Sequence, residues 1–352
     1  MGCFSSRPVE PATASLVDGL LTVPLSAVSK YRTMSGPKVY CIRVSPDGVY
    51  LMALDSSVKL LIFRISDGAL LQVVSIKDGW SLACAWSHDG QTVFVGGEHL
   101  HSASFDSATF HNTPGASRSV VADQLYLMGG HVACLAPHPD ETVVGCNLSN
   151  HSGALIFWRR DTAEPTVIEH SIINAIAFTP DYTAFVSCGW HLELWDYATR
   201  TVTRVMLGHE AEIYDVAVTA DGRYALSAAE DATIRVWALT GAEKEVKELS
   251  QVKLDEPLLP KSVATSPDGK YVFSACYNFK AGRHADKGSV EAWRVEDGTY
   301  VGKVLTCKGQ AACVRTHGAL PPPPDASSAG QEPFGLYFSS WDWFVQGVQI
   351  ST

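Results

Sequence analysis

Three residues between positions 209 and 231 are of the types that catalyse acyl transfer. His209, Ser227 and Asp231 would supply a base, a nucleophile and an orienting carboxylate, the set that cleaves esters and amides. Hydrolases of the α/β class present such a serine on a G-x-S-x-G turn, and this pattern occurs nowhere in the chain. We therefore expect these residues to have a structural role, and we expect no enzymatic activity.

The elements around these three residues are predicted to be antiparallel strands. Residues 208–240 contain three short runs in which apolar and polar residues alternate. The pairs Asp221-Gly222 and Glu230-Asp231 separate the runs, and short polar pairs of this kind are typical of hairpin turns.

This stretch begins with Gly208-His209 and its third run is closed by Trp237. In these features it resembles one blade of the WD-repeat β-propeller family, whose repeats begin with Gly-His and end with Trp-Asp. Here Ala238 stands in place of the final Asp. The resemblance implies a buried hydrogen-bonded network within the blade, made of His209, Ser227, Asp231 and Trp237.

Two signals recur in register along the chain. Each repeat has three apolar runs. An aspartate lies in the turn between the first and second runs, and an aromatic residue closes the third run; this pattern occurs six times. The aspartates are Asp47, Asp89, Asp140, Asp181, Asp221 and Asp268, and the aromatic residues are Phe63, Phe105, Trp158, Trp195, Trp237 and Trp293. A period of about 40 to 50 residues predicts a propeller.

Residues 307–352 supply a seventh blade that is one strand short. A three-stranded blade leaves an open edge, which favours aggregation, so we expect a strand from the N-terminal segment to close it. The sequence thus predicts an all-β fold. It consists of a short flexible tail over residues 1–16 and a seven-bladed WD-repeat β-propeller over residues 17–352.

The composition restricts the classes of ligand and partner. Of the 352 residues, 46% are hydrophobic, and the formal net charge is −10, which disfavours nucleic acid as a partner. Nine cysteines show no C-x-x-C or zinc spacing, so we expect them to be reduced and buried. His99, His101 and His111 lack an acidic or cysteine partner at a useful spacing. We expect no metal, no cofactor and no small-molecule substrate.

The first six residues, MGCFSS, fit the N-myristoylation pattern M-G-x-x-x-[ST], with Gly2 as the acceptor. One myristoyl chain gives only reversible membrane binding, so a second signal is needed. Arg7 is the only basic residue among residues 7–29, which leaves Cys3 as the expected palmitoylation site. The sequence predicts attachment to the cytoplasmic face of a membrane.

The family resemblance also implies a partner-binding top face. In the family, the side chains nine and seven residues before each turn aspartate point to this face, and aromatic and charged residues there are typical of binding hot spots. The alternative for Tyr40 and Trp80 is packing beneath loops. Counting back, and adding the residue before Asp231, selects Lys38, Tyr40, Trp80, His131, Asn174, Glu212, Tyr214, Glu230 and Lys261.

An insertion at residues 277–288 is basic although the protein as a whole is acidic. It is a candidate contact for an acidic partner, and a solvated surface loop is the alternative. Its basic residues are Lys280, Arg283, His284 and Lys287.

These features predict a non-enzymatic scaffold that binds proteins through its top face and the membrane through N-terminal lipids. One alternative is a soluble subunit or adaptor of a larger complex, of the ribosome-associated or ubiquitin-ligase type, in which MGCFSS is accidental. A second alternative, an enzyme, requires a cluster of titratable groups in one pocket, which the sequence does not show.

Overall fold

The structure is a computed structural model, and every regular element that it describes is a β-strand. No helix in the described ranges is long and apolar enough to cross a membrane. The described residues are 15–17, 20–24, 31–32, 38–76, 81–105, 116–119, 125–126, 130–140, 142–148, 152–159, 165–240, 248–253, 258–278, 288–307, 309–319, 334–340 and 344–351.

The strands are short and follow one another at regular intervals. In chain order they are β1 (Ser15–Val17), β2 (Leu20–Pro24), β3 (Tyr31–Arg32), β4 (Val39–Val44), β5 (Tyr50–Asp55), β6 (Lys59–Arg64), β7 (Leu70–Ser75), β8 (Ser81–Trp86), β9 (Thr92–Gly97), β10 (His99–Ser104), β11 (Ala116–Ser119), β12 (Leu125–Tyr126), β13 (Gly130–Pro137), β14 (Thr142–Leu148), β15 (Ser152–Trp158), β16 (Thr166–Ser171), β17 (Ala175–Phe178), β18 (Ala184–Cys188), β19 (Leu192–Asp196), β20 (Thr201–Met206), β21 (Ile213–Val218), β22 (Tyr224–Ala229), β23 (Thr233–Ala238), β24 (Glu248–Lys253), β25 (Leu258–Thr265), β26 (Tyr271–Asn278), β27 (Gly288–Arg294), β28 (Tyr300–Cys307), β29 (Ala311–Ala319), β30 (Phe334–Ser340) and β31 (Phe344–Ser351).

These strands form seven sheets within the described ranges. Sheet 1 contains β4 to β7 and β11, and sheet 2 contains β8 to β10 and β12. Sheets 3 to 6 are β13–β16, β17–β20, β21–β24 and β25–β28, and sheet 7 combines β29 to β31 with β1, β2 and β3. The pairing is antiparallel except that β11 lies parallel to β7.

One strand of each sheet lies on the inside of a ring. These inner strands are β4, β8, β13, β17, β21, β25 and β29. Each contacts the inner strand of the next sheet, and β29 contacts β4, which closes the ring. Sheets arranged radially around a central axis make a β-propeller. We call the end of the axis where the inner strands begin the top face, and the end where they stop the bottom face.

Sheet 7 is built from both ends of the described chain. Strand β2 pairs antiparallel with β31, so that Leu21 lies opposite Ser351, and Thr22 opposite Ile350. Strand β3 also pairs with β31, and β1 pairs with β2. The strands start at Ser15, slightly ahead of the boundary at Val17 that the sequence predicts between tail and propeller. Pairing of this kind protects the backbone groups of β31 that would otherwise form an open edge.

The turns at the bottom face have a shared hydrogen-bond pattern. Thr219 Oγ1 donates to Asp221 Oδ1 at 2.6 Å and accepts from the amide of Tyr224 at 3.1 Å, while Asp221 also accepts the amide of Arg223 at 3.0 Å. Ser45, Ser87, Thr179 and Ser266 take the position of Thr219 in four other turns. Since the hydroxyl and the carboxylate satisfy turn amides locally, the pattern S/T-x-D marks these turns in the sequence.

The core lies between neighbouring sheets. Leu226, Val263 and Trp293 pack between sheets 5 and 6, and Ile42 packs with Tyr337 where sheet 7 meets sheet 1. Because each sheet is covered on both faces, a strand within a sheet such as β5, the second strand of sheet 1, is buried at every position. The seven cysteines whose side chains the structure describes are buried thiols outside any disulfide, as the sequence predicts.

Candidate functional site

The predicted network in sheet 5 is a continuous chain of hydrogen bonds. Trp237 Nε1 lies 2.9 Å from Ser227 Oγ, which lies 2.7 Å from His209 Nε2, and His209 Nδ1 lies 2.8 Å from Asp231 Oδ2. The indole can only donate and the carboxylate only accepts. Trp237 therefore donates to Ser227, and His209 Nδ1 donates to Asp231; a neutral imidazole then accepts a hydrogen bond from Ser227 at Nε2.

Asp231 is the most heavily bonded member of this network. Its carboxylate also accepts the amides of Glu210 and Thr233, each at 3.0 Å, and the Thr233 hydroxyl at 2.6 Å. Burial by itself would raise the pKa of Asp231, but the bonds from His209, Thr233 and Glu210 overcome burial and hold the pKa well below its usual range. Asp231 therefore stays ionised and holds the strands of sheet 5 to the segment that carries His209.

The same three residues have the atomic order of a hydrolase triad, but the serine is in the wrong place for catalysis. Ser227 is 0% exposed, and its oxygen already accepts the Trp237 indole N–H. A nucleophile must reach a substrate carbonyl carbon, and a serine enclosed between two bonded neighbours cannot. The geometry is that of a structural network.

The structure brings together five of the predicted top-face residues, from sheets 4, 5 and 6. Asn174 Nδ2 donates to Glu212 Oε1 at 2.7 Å, and Lys261 Nζ lies 3.2 Å from the centre of the Tyr214 ring. Burial lowers the pKa of Lys261, while Glu230 and Glu212 oppose this effect. We call this group the top-face cluster; it consists of Asn174, Glu212, Tyr214, Glu230, Lys261 and one further residue, Tyr277.

Tyr277 was not selected from the sequence. Its ring centre lies 5.6 Å from Lys261 Nζ, and burial together with Glu230 raises its pKa. It lies near the end of β26, at the start of the basic insertion, so counting back from turn aspartates does not reach it.

The other predicted top-face residues that the structure describes are Lys38, Tyr40 and His131. Lys38 and His131 are exposed, and Tyr40 is half-buried and lines the same cavity as Asn174, Tyr214 and Lys261. His99 and His101 have ring centres 6.0 Å apart, and no group of three potential metal ligands occurs among the described residues. The other predicted site residues are outside the described residues: Gly2, Cys3, Trp80, Lys280, Arg283, His284 and Lys287.

A second buried network, which the sequence did not reveal, joins three inner strands beside the axis. Asp215 Oδ2 accepts from Ser262 Oγ at 2.6 Å, from the amide of Val263 at 3.1 Å and from Arg315 Nη1 at 3.1 Å. Arg315 Nη1 also lies 2.8 Å from Ser262 Oγ. The one available signal was a charged residue at position 215 within the apolar run of β21.

Comparison with known proteins agrees with this geometry. The β-propeller domain of Cps50 (Swd1) from Myceliophteria thermophila has a similar fold, with a TM-score of 0.64 at 14% identity over 92% of this chain and 99% of that one. Residues 200–238, which span β20 to β23 and include the His209 network, match the family WD domain, G-beta repeat. The chain folds as a β-propeller, and one of its repeats is similar to a WD repeat.

Two relatives of this propeller are similar in sequence as well. Human THO complex subunit 6 is 33% identical over 106 residues, which is 30% of this chain and 31% of that protein. The guanine nucleotide-binding protein subunit beta of Arabidopsis thaliana is 23% identical over 260 residues, 69% of this chain and 67% of that protein. The first of these matches therefore covers under a third of the relative's length.

Proposed function

We propose that this propeller is a non-enzymatic protein-interaction scaffold or complex subunit, with seven blades, which binds its partner through the top-face cluster. The observation that carries the proposal is the position of Tyr214. Its ring is only half-buried at the mouth of the axis, where Lys261 covers it, and residues from three sheets meet around it. Aromatic and charged residues held in this way are typical of binding hot spots.

The charge of the top-face cluster indicates the kind of group that it would accept. Glu212 and Glu230 carry two carboxylates, and Lys261 carries one ammonium group. A partner that presents a basic side chain complements this charge, and Tyr214 offers it an aromatic face.

We expect Tyr214→Ala and Lys261→Ala each to weaken partner binding by about tenfold or more, as for hot-spot residues. Partners would first be identified by proximity labelling of the full chain, and the affinity of a purified partner would then be measured for each variant. Arg294→Ala is the control, because Arg294 is exposed at the opposite end of sheet 6. If the folded Tyr214→Ala and Lys261→Ala variants bind the partner as tightly as the wild type does, the top-face cluster is not the partner site.

We further propose that Gly2 and Cys3 carry a myristoyl and a palmitoyl group that attach the propeller to the cytoplasmic face of a membrane. The support is the sequence pattern MGCFSS together with the shortage of basic residues after it. The basic insertion with Lys280, Arg283, His284 and Lys287 is proposed as a second contact, for an acidic partner.

Gly2→Ala should move the protein entirely into the soluble fraction, because no myristate can then be attached. Cys3→Ser should retain myristate but bind membranes only weakly, since a single acyl chain is insufficient. Fractionation of cells that express the chain with a free N-terminus measures the membrane-bound fraction of each variant. A membrane-bound Gly2→Ala variant would rule out this anchor without affecting the top-face proposal.

The second candidate is a soluble subunit of a larger complex. It is favoured by the names of the similar proteins, since both the human and the Arabidopsis relative are described as subunits. Under this hypothesis the wild-type chain is found in the cytosol and co-elutes with a large assembly on size-exclusion chromatography. The Gly2→Ala variant would then behave as the wild type does.

A further inference from the structure

The ring axis contains two adjoining cavities, of about 490 and 480 Å³. The first is lined by residues of all seven inner strands. The second, which we call the lower cavity, lies at the bottom face between the ends of β4, β8 and β29. Arg43 and Arg315 line both cavities, and His88, Tyr182 and His317 contribute to the wall of the lower one.

Both guanidinium groups have N–H donors available to a ligand. Arg43 Nη1 donates to the carbonyl oxygen of Ile42 at 2.9 Å, and Arg315 Nη1 is bonded to Asp215 and Ser262. Every hydrogen bond that these two arginines make with described residues starts at Nη1. The Nε and Nη2 groups are therefore left for water or an anion.

The charge at the lower cavity is positive, although the protein as a whole has a net charge of −10. No Asp or Glu is among the described residues that line it. Asp215 lies above and is bonded to Arg315, and Asp47 is bonded within its own turn. Burial lowers the pKa of His317, with Asp47 opposing, so the positive charge comes from the two arginines.

The two arginines also act on a neighbouring thiol. A hydrogen bond with Cys84 lowers the pKa of Cys41, and Arg43 and Arg315 act in the same direction against the effect of burial. Cys41 lines the upper cavity. An anion that enters the lower cavity meets the same two guanidinium groups.

The wall of the lower cavity includes an aromatic residue in a strained backbone conformation. Tyr182 has φ of 58°, at the turn position where Gly48, Gly90 and Gly222 occur with φ near 70°. Left-handed φ costs a non-glycine residue about 1 kcal/mol or more. The Tyr182 hydroxyl lies 3.0 Å from His88 Nδ1, so the side chain reaches from sheet 4 to sheet 2 across the bottom of the ring. Strain of this kind often occurs at ligand sites.

We propose that the lower cavity binds a small ring-shaped molecule that carries two or more phosphate groups, as a ligand and not as a substrate. Guanidinium groups bind phosphate through paired N–H donors, which favours arginine over lysine at such sites. The cavity volume lies within the range of about 300–1,000 Å³ that is usual for small-molecule sites. The ring would lie against Tyr182 while its phosphates bind Arg43 and Arg315. Soluble inositol phosphates and phosphoinositide headgroups share this chemistry.

Calorimetric titration of the full chain with inositol hexakisphosphate tests the proposal, with inorganic phosphate as the single-anion comparison. Arg43→Gln should weaken binding by about tenfold or more, and Arg43→Lys should restore part of the loss. His88→Glu places a carboxylate at the exposed mouth and should also weaken binding. Lys270→Gln removes the charge of an exposed lysine that lines neither cavity, so it is the matched control and should bind as the wild type does. Thermal melts establish that each variant is folded.

Binding to vesicles with and without phosphatidylinositol 4,5-bisphosphate distinguishes a soluble inositol phosphate from a lipid headgroup as the ligand. Binding to the hexakisphosphate alone supports a soluble ligand, and binding to the phosphoinositide vesicles supports a headgroup. The proposal is overturned if the wild type binds neither probe, if it binds inorganic phosphate equally well, or if Arg43→Gln and His88→Glu bind with unchanged affinity.

Discussion

Replacing Asp215 by alanine should destabilise the propeller by about 3–5 kcal/mol, the cost of breaking a buried ion pair by removing one partner. The Asp215 side chain is 9% exposed and that of Arg315 is 23% exposed, so we expect a value toward the lower end of this range. The change removes the acceptor that joins β21 to Ser262 and Val263 of β25 and to Arg315 of β29. It leaves the guanidinium group without a counter-ion.

Chemical denaturation of the wild type and of two further variants measures this effect. Asp215→Asn keeps an acceptor but loses the charge, and should lie between the wild type and Asp215→Ala. Asp297→Ala removes an exposed turn aspartate of sheet 6 and should unfold close to the wild type. If Asp215→Ala and Asp297→Ala unfold at the same denaturant concentration, the Asp215 network contributes nothing to stability.

Replacing His209 by alanine should destabilise the fold by about 1–3 kcal/mol, because Asp231 and Ser227 each lose a hydrogen-bond partner while they remain buried. Ser227→Ala and Asp231→Ala should have costs of similar size, since each breaks the same chain of bonds. Partner binding should be retained below the melting temperature, because the network lies within sheet 5 and outside the top-face cluster. A variant that melts normally and loses a catalytic activity would contradict the structural role.

The low pKa of Asp231 in the folded protein predicts that the free energy of unfolding falls in acid. Because the pKa of Asp231 is lower in the folded state, its contribution is present above the unfolded pKa of about 3.9 and is lost as the pH falls through the folded value. The wild type should therefore lose stability in acid, and Asp231→Asn should lose less over the same interval. Melting midpoints of both proteins between neutral and acidic pH test this difference.

The sequence alone determined the features that depend on local hydrogen bonds. The turn at Asp221 is bonded to Thr219 and Arg223, which are near neighbours in the chain, so a short pattern identifies it. The alternation of apolar residues within each strand is also visible over a few residues. The set of His209, Ser227, Asp231 and Trp237 was found because its family pattern lies within one blade. The all-β class and the repeat followed from these signals.

Only the tertiary structure decided which distant residues meet beside the axis. Arg315 is 100 residues from Asp215, and the two come together because ring closure places β21, β25 and β29 side by side. The top-face cluster likewise draws Asn174, Tyr214 and Tyr277 from three sheets. The contact of Tyr182 with His88 likewise joins sheet 4 to sheet 2. Contacts between sheets are set by how the sheets pack around the axis, and no spacing along the chain encodes that arrangement.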